Sequence, residues 1–169
     1  MENQTSLDEG GALFEKRAHG HLPHIDIAGT DFTIDWRLKE LLETAAPWNA
    51  INLRDIETSE LDQYLFFYDT VCHNVHEVDY KLTKLPENVV VAELPDEIKL
   101  DPFAVAREQG VDPVIFVQDF PIQKDLKAII KPLTESGLPV FVSANLLFIA
   151  SQNKNKPTEE QQPQRGHSR

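Results

Sequence analysis

Apolar and polar positions alternate with period two from Ile25 to Trp36. Ile25 and Ile27 precede Ala28-Gly29-Thr30-Asp31, a turn composition, and Phe32, Ile34 and Trp36 resume the alternation. That pattern predicts a β-hairpin. Asp35 is placed to cap a helix over residues 36–43, in which Leu38, Leu41 and Leu42 share one face, with Pro47 marking its end. Residues 50–62 have no dominant period, although Ile51 and Leu53 fit a short strand. The stretch Gln63-Tyr64-Leu65-Phe66-Phe67-Tyr68-Asp69 is apolar on both faces and rich in rings, the pattern of a central strand. Val71, Asn74, Val75, His76 and Val78 suggest its hairpin return. Val89-Val90-Val91-Ala92-Glu93-Leu94 reads as a further strand, closed by Pro95.

The second half changes character. Asp101-Pro102 opens a helix that Gly110 ends: the carboxylate caps, the proline occupies the first turn, and the glycine takes the left-handed position. Asp112-Pro113 repeats the opening, and the following helix must stop near Pro121. Residues 122–130 are compatible with strand or helix. Leu138-Pro139 starts a helix reaching about Ser151, with Leu138, Phe141, Val142, Asn145, Leu146 and Ile149 on one side. Strands first and helices later predict an α+β fold. Its sheet is mostly antiparallel in the N-terminal half, with short helices packed from the C-terminal half.

The flanks lack such periodicity. Residues 1–21 contain only Leu7, Leu13 and Phe14 as larger apolar side chains and read as an unstructured arm, with Leu13-Phe14 able to dock weakly. Residues 151–169 hold no large apolar residue, so they cannot offset their own ordering entropy and read as a disordered polar tail. A single domain over residues 22–150 lies between them. A chain of 169 residues, 41% of them hydrophobic, suits one such core.

Charge narrows the partners. The formal net charge is −12, and no basic stripe is present to contact phosphates, so direct nucleic-acid binding is not expected. The single cysteine, Cys72, rules out an intramolecular disulfide. A polar, acidic start and an apolar run of only five residues, Leu146–Ala150, lead to the expectation of a cytoplasmic chain without a membrane span.

No motif names a chemistry. Cys72-His73-Asn74-Val75-His76, with His19, His21 and His24, is the one metal-like cluster, but it lacks a second cysteine pair at zinc spacing. A Cys72 nucleophile with His73 or His76 as base would need an orienting third group, and none is evident. Asp26, Asp31 and Asp35, and Asp96, Glu97 and Asp101, are carboxylate clusters that a solvated acidic face explains as well as a hydrolase does. Glycine-rich phosphate loops are absent. The expectation is therefore no cofactor, no metal and no catalytic residue. The rings of Trp36, Tyr64, Phe66 and Tyr68 remain as a candidate partner-binding surface, should one face of the strand be left uncovered.

Three segments carry a resemblance: residues 24–35 (His-Ile-Asp-Ile-Ala-Gly-Thr-Asp-Phe-Thr-Ile-Asp), 64–70 (Tyr-Leu-Phe-Phe-Tyr-Asp-Thr) and 100–107 (Leu-Asp-Pro-Phe-Ala-Val-Ala-Arg). Through them the chain resembles uncharacterised accessory proteins of bacterial mobile genetic elements such as conjugative transposons. The resemblance spans about Leu22 to Leu147, implies a small accessory protein, and transfers no catalytic residue. The expected function is a non-enzymatic protein–protein interaction module with an unknown protein partner. The alternatives are an acidic DNA mimic that inhibits a nucleic-acid enzyme and, third, a hydrolase hidden among the carboxylates.

Overall fold

The structure, a computed structural model, describes residues 2–155, with side chains from residue 9 onward. In chain order its elements are α1 (Glu2–Ala18), β1 (His24–Ile27), β2 (Thr30–Asp35), β3 (Glu40–Glu43), β4 (Ala46–Asn52), β5 (Tyr64–Asp69), β6 (Asn74–Val75), β7 (Val89–Leu94), α2 (Glu97–Leu100), α3 (Pro102–Glu108), α4 (Pro113–Asp119), β8 (Leu126–Lys127), β9 (Ile129–Pro132) and α5 (Leu138–Lys154). The fold is α+β. One sheet has the order β4-β3-β2-β1-β8 and the other β6-β5-β7-β9, and β1–β8 is the parallel pair in otherwise antiparallel ladders.

The first hairpin forms as its alternation predicts. Ile25 pairs with Phe32 and Ile27 with Thr30 across the two-residue loop Ala28-Gly29. Both loop residues have positive φ, 51° and 89°, as the twist-matched hairpin turn requires. The Asp26 side chain accepts the Gly29 N–H at 3.0 Å and braces the turn.

The predicted helix over residues 36–43 is replaced by a second hairpin. Asp35 Oδ1 does accept the Leu38 N–H at 3.2 Å, as a cap would. That interaction is equally at home in a turn. Lys39 then adopts φ 58°, the chain reverses, and Glu40–Glu43 pairs with β2. Leu41 decides the outcome, because as a strand residue it is fully buried between Ile34 and Ile51 in register. Pro47 lies within β4 rather than ending a helix, on an edge strand where a missing N–H is tolerated.

The main core fills the space between the sheets: Ile25, Ile27, Phe32, Ile34, Leu41 and Ile51 on one side, and Tyr64, Phe66, Tyr68, Ala92 and Leu94 on the other. A smaller core covers the outer face of the second sheet, where Val89, Val91 and Phe67 meet Leu133, Leu138 and the 78–85 loop. Strand β5 thus has both faces engaged, with Leu65 the main exception. Within residues 122–130 the structure places two short strands, 126–127 and 129–130, after a loop, and no helix. β8 joins the edge of the first sheet and β9 the edge of the second, with Ala128 between them donating its N–H to the Asp26 carbonyl at 2.8 Å. One short segment therefore stitches the sheets together, as strands that switch sheets do at sandwich corners.

Helix α3 matches its sequence punctuation residue for residue. Asp101 Oδ1 accepts the Ala104 N–H at 3.1 Å. Gly110 at φ 71° donates to the Arg107 carbonyl and Val111 to the Ala106 carbonyl, the paired bonds of a Schellman ending. Helix α4 starts at Asp112-Pro113 and stops before Pro121 as predicted.

Both flanks depart from expectation. Residues 1–21 were expected to be unstructured, yet α1 runs from Glu2 to Ala18. Phe14 packs on Phe103 with ring centroids 5.6 Å apart. Arg17 makes a two-pronged ion pair with Asp101, its closest contact 2.9 Å. The half-buried Leu13, Phe14 and Arg17 fall on one helical side, so a sparse stripe suffices once α3 supplies its counterpart. At the other end α5 continues through Lys154, into the segment expected to be disordered, and residues 156–169 of that predicted tail lie outside the described residues.

Candidate interaction surface

The four ring-bearing residues expected to meet a partner all lie in the core. Tyr68 is fully buried, Trp36 is 2% exposed, Phe66 7% and Tyr64 9%. Their alternation along β5 points Tyr64, Phe66 and Tyr68 toward the first sheet, which covers them. Phe66 and Phe32 each meet the Tyr68 ring edge-on, with centroids 6.3 Å away. A partner has no access to this face. The expected surface is corrected to a packing core, because a second sheet, not foreseen as a separate layer, lies across it.

Trp36 is held in place rather than presented. Its Nε1 donates to Glu108 Oε2 at 2.6 Å, and Lys39 Nζ both reaches the same oxygen at 2.8 Å and stands 3.4 Å over the ring. These bonds, from Lys39 foremost and then Trp36, hold the Glu108 carboxyl below its ordinary range. The adjoining cleft of about 580 Å³ is lined by Arg17, Asp35, Arg37 and Arg107 as well as this trio. It offers cations and carboxylates, and none of its described lining residues is a serine, threonine, cysteine or histidine.

His24 and His73 are tied to carboxylates. His73 Nδ1 is 2.6 Å from Glu43 Oε1, and Asn49 donates to Glu43 Oε2 at 2.9 Å and to the carbonyls of Cys72 and His73. Hydrogen bonds from Asn49 and then His73 hold the Glu43 carboxyl below its usual range. Asn74 completes the cluster by donating to Asn49 and to the Ala50 carbonyl, so this polar joint fastens the β5–β6 turn to the edge of the first sheet. Cys72 is exposed beside Asp69, an anion where an activated thiolate needs cations or an imidazole. The His73 side chain and the Cys72 and His73 carbonyls are therefore drawn into this joint, while His76 donates its backbone N–H to the Phe67 carbonyl at 2.8 Å. Among the described residues no group of three or more His, Cys, Asp or Glu side chains could hold a metal ion.

At the first hairpin, His24 Nδ1 and Thr44 Oγ1 lie 2.7 and 2.6 Å from Asp31 Oδ2. Burial pushes the Asp31 carboxyl up, but the Thr44 and His24 hydrogen bonds outweigh it and leave the pKa lowered. Nucleophilic triads place the histidine between acid and hydroxyl. Here the acid is in the middle, so His24 cannot take the Thr44 proton. Four of the five remaining candidate carboxylates have structural tasks: Asp26 and Asp35 brace turns, and Asp96 and Asp101 cap α2 and α3, while Glu97 sits in the first turn of α2.

Exposed apolar side chains are scattered over the surface, Trp48, Leu61, Val71 and Ile115 among them, and the longest unbroken run of them among the described residues lies on α5. Its opening turns are anchored: Leu138 is 1% exposed, and Phe141 stacks at a tilt on Tyr80 with centroids 5.0 Å apart. Asn145 donates to the carbonyls of Tyr80 and Leu82 at 2.8 and 2.7 Å. Beyond Asn145 every described residue is exposed, including Leu146, Leu147, Phe148 and Ile149. Leu147 is 72% exposed and Phe148 63%. The predicted inward side of this helix therefore holds only in its first half. Phe141, Leu146 and Ile149 face solvent to the extent of two-fifths or more, since the domain ends before the helix does. No charged residue occurs from Leu138 to Asn153, and apolar residues ring the helix rather than striping it, the signature of a helix surrounded by other chain. The signal was present as Leu-Leu-Phe-Ile. What hid it was the assumption that one side would be packed along the full length.

Compared with known proteins, the chain matches no family model, no curated protein and no solved structure.

Proposed function

We propose that this chain is a non-enzymatic protein–protein interaction module that docks through the outer half of α5. The carrying observation is that α5 has no charged residue from Leu138 to Asn153 and that its Leu146–Ile149 segment is exposed. Short helices do not hold themselves together in water; most of their stability comes from burying a face. A soluble chain seldom leaves a contiguous apolar patch of more than a few hundred Å² without a use for it. The polar clusters support the same reading, because their hydrogen bonds are spent on turns, caps and the joint between the sheets.

The test is a charge placed on the outer half of α5. Leu147→Glu and Phe148→Glu remove no core contact, so both variants are expected to keep the wild-type unfolding midpoint while losing the chain's protein associations in cross-linking experiments. Associations that survive both substitutions would move the docking function off this helix.

A further inference from the structure

Resting on the reading of α5 as the docking surface, we infer that its occupant is a second copy of this chain, joined about a twofold axis. Area is the first argument. Val140, Phe141, Leu146, Leu147, Phe148 and Ile149 are between 43% and 72% exposed. With free side chains of this kind offering on the order of 200 Å² each, α5 presents roughly 700 Å² per copy against the ~800 Å² per partner of a stable interface, and because these residues ring the helix the second copy must enclose it rather than meet one side.

Charge is the second argument. Two copies, each of net charge −12, repel wherever acidic surfaces meet, and a self-interface is admissible only where charge is missing. The stretch from Leu138 to Asn153 has none. Depletion of charge is what distinguishes the centre of an interface, whereas a docking face for a basic partner would carry acids. An isologous contact also requires only that a patch be compatible with itself, which a uniformly apolar one is. A lipid surface is the less suitable occupant. Helices that lie in the membrane interface have one strongly charged face, and α5 has none.

Sedimentation of the full chain over a range of concentrations tests the assignment. The wild type is expected to sediment as two copies and to associate more tightly as salt rises, because screening relieves the mutual repulsion. Leu147→Glu is expected to weaken association by about 100-fold or more, since each copy would bury an unpaired charge, with its unfolding midpoint unchanged. Leu61→Glu, an equal charge change at an exposed leucine on the 59–62 loop, is expected to leave association intact. A wild type that stays single at every concentration overturns the second copy as occupant.

Hydrogen exchange and phosphatidylcholine vesicles then separate the two readings. Rapid exchange over residues 146–152 in that single copy, without vesicle binding, leaves α5 a docking surface for another protein and rejects self-association alone. Slow exchange that persists in Leu147→Glu means that α5 is covered within its own chain, and rejects both readings. Flotation with vesicles, lost in Leu147→Glu, assigns the face to lipid and also rejects both.

Discussion

Strand β5 reads Tyr-Leu-Phe-Phe-Tyr-Asp and the middle of α5 reads Leu-Leu-Phe-Ile, so the two carry similar apolar loads into the fold. The strand is enclosed. The first sheet covers Tyr64, Phe66 and Tyr68, and the smaller core takes up Phe67. The helix is anchored by Leu138, Phe141 and Asn145 and then runs on with no described residue packed over it. Composition therefore does not say which apolar segment packs and which is presented. In an interior ladder, neighbours on both sides bring their own layers with them. A helix that follows the last strand has no later element among the described residues to close over it.

Four substitutions probe that contrast. Phe66→Ala should have the largest effect, about 3–5 kcal/mol of lost stability in urea unfolding, from lost transfer energy and a cavity between the sheets. Leu147→Ala should change the unfolding of the single copy by less than about 0.5 kcal/mol. Equal costs at the two positions would break the comparison. Arg17→Ala asks whether a helix poor in apolar residues can still be held to the domain. It leaves Asp101, fully buried, without its partner, and is expected to cost about 3 kcal/mol, with faster exchange of the α1 amides. Asn145→Ala removes the last polar tie between α5 and the 80–82 loop. It should cost about 1–2 kcal/mol and extend the exchanging part of the helix toward Phe141.

A pH-dependent effect concerns a polar atom inside the enclosed region. The Tyr68 hydroxyl is buried near Thr30 without a well-formed hydrogen bond, and burial is the main cause of a pKa pushed up to about 12. The folded state therefore favours the neutral phenol. Its contribution is complete below the ordinary tyrosine value of about 10 and is lost as pH rises from there toward 12. Tyr68→Phe should leave neutral-pH stability within about 1 kcal/mol of wild type, or slightly above it, and should flatten the alkaline fall in unfolding free energy. An unchanged alkaline limb would place its cause elsewhere.

Much of the fold was legible along the chain because its signals are local. The Ala28-Gly29 turn, the Asp101 and Asp112 caps and Gly110 act within four residues, and each structure they specify is present. Where local signals admit two answers, the reading erred. Asp35 can begin a helix or brace a turn, and Leu41 chose the latter through a strand partner that the local pattern does not contain. Along α1 the apolar stripe is too thin to announce itself, and its partner Asp101 is 84 residues away from Arg17.

The candidate surface was misplaced for a similar reason. A ring in a strand looks the same whether or not a second sheet lies over it. By itself the sequence determined the first hairpin, the helices capped by Asp101 and Asp112 and the helix that opens at Leu138-Pro139, since those depend on neighbours in the chain. Only the tertiary structure decided which apolar face is covered. Burial is a property of what lies opposite a side chain, and for β5 and α5 that is set by segments far from them in sequence.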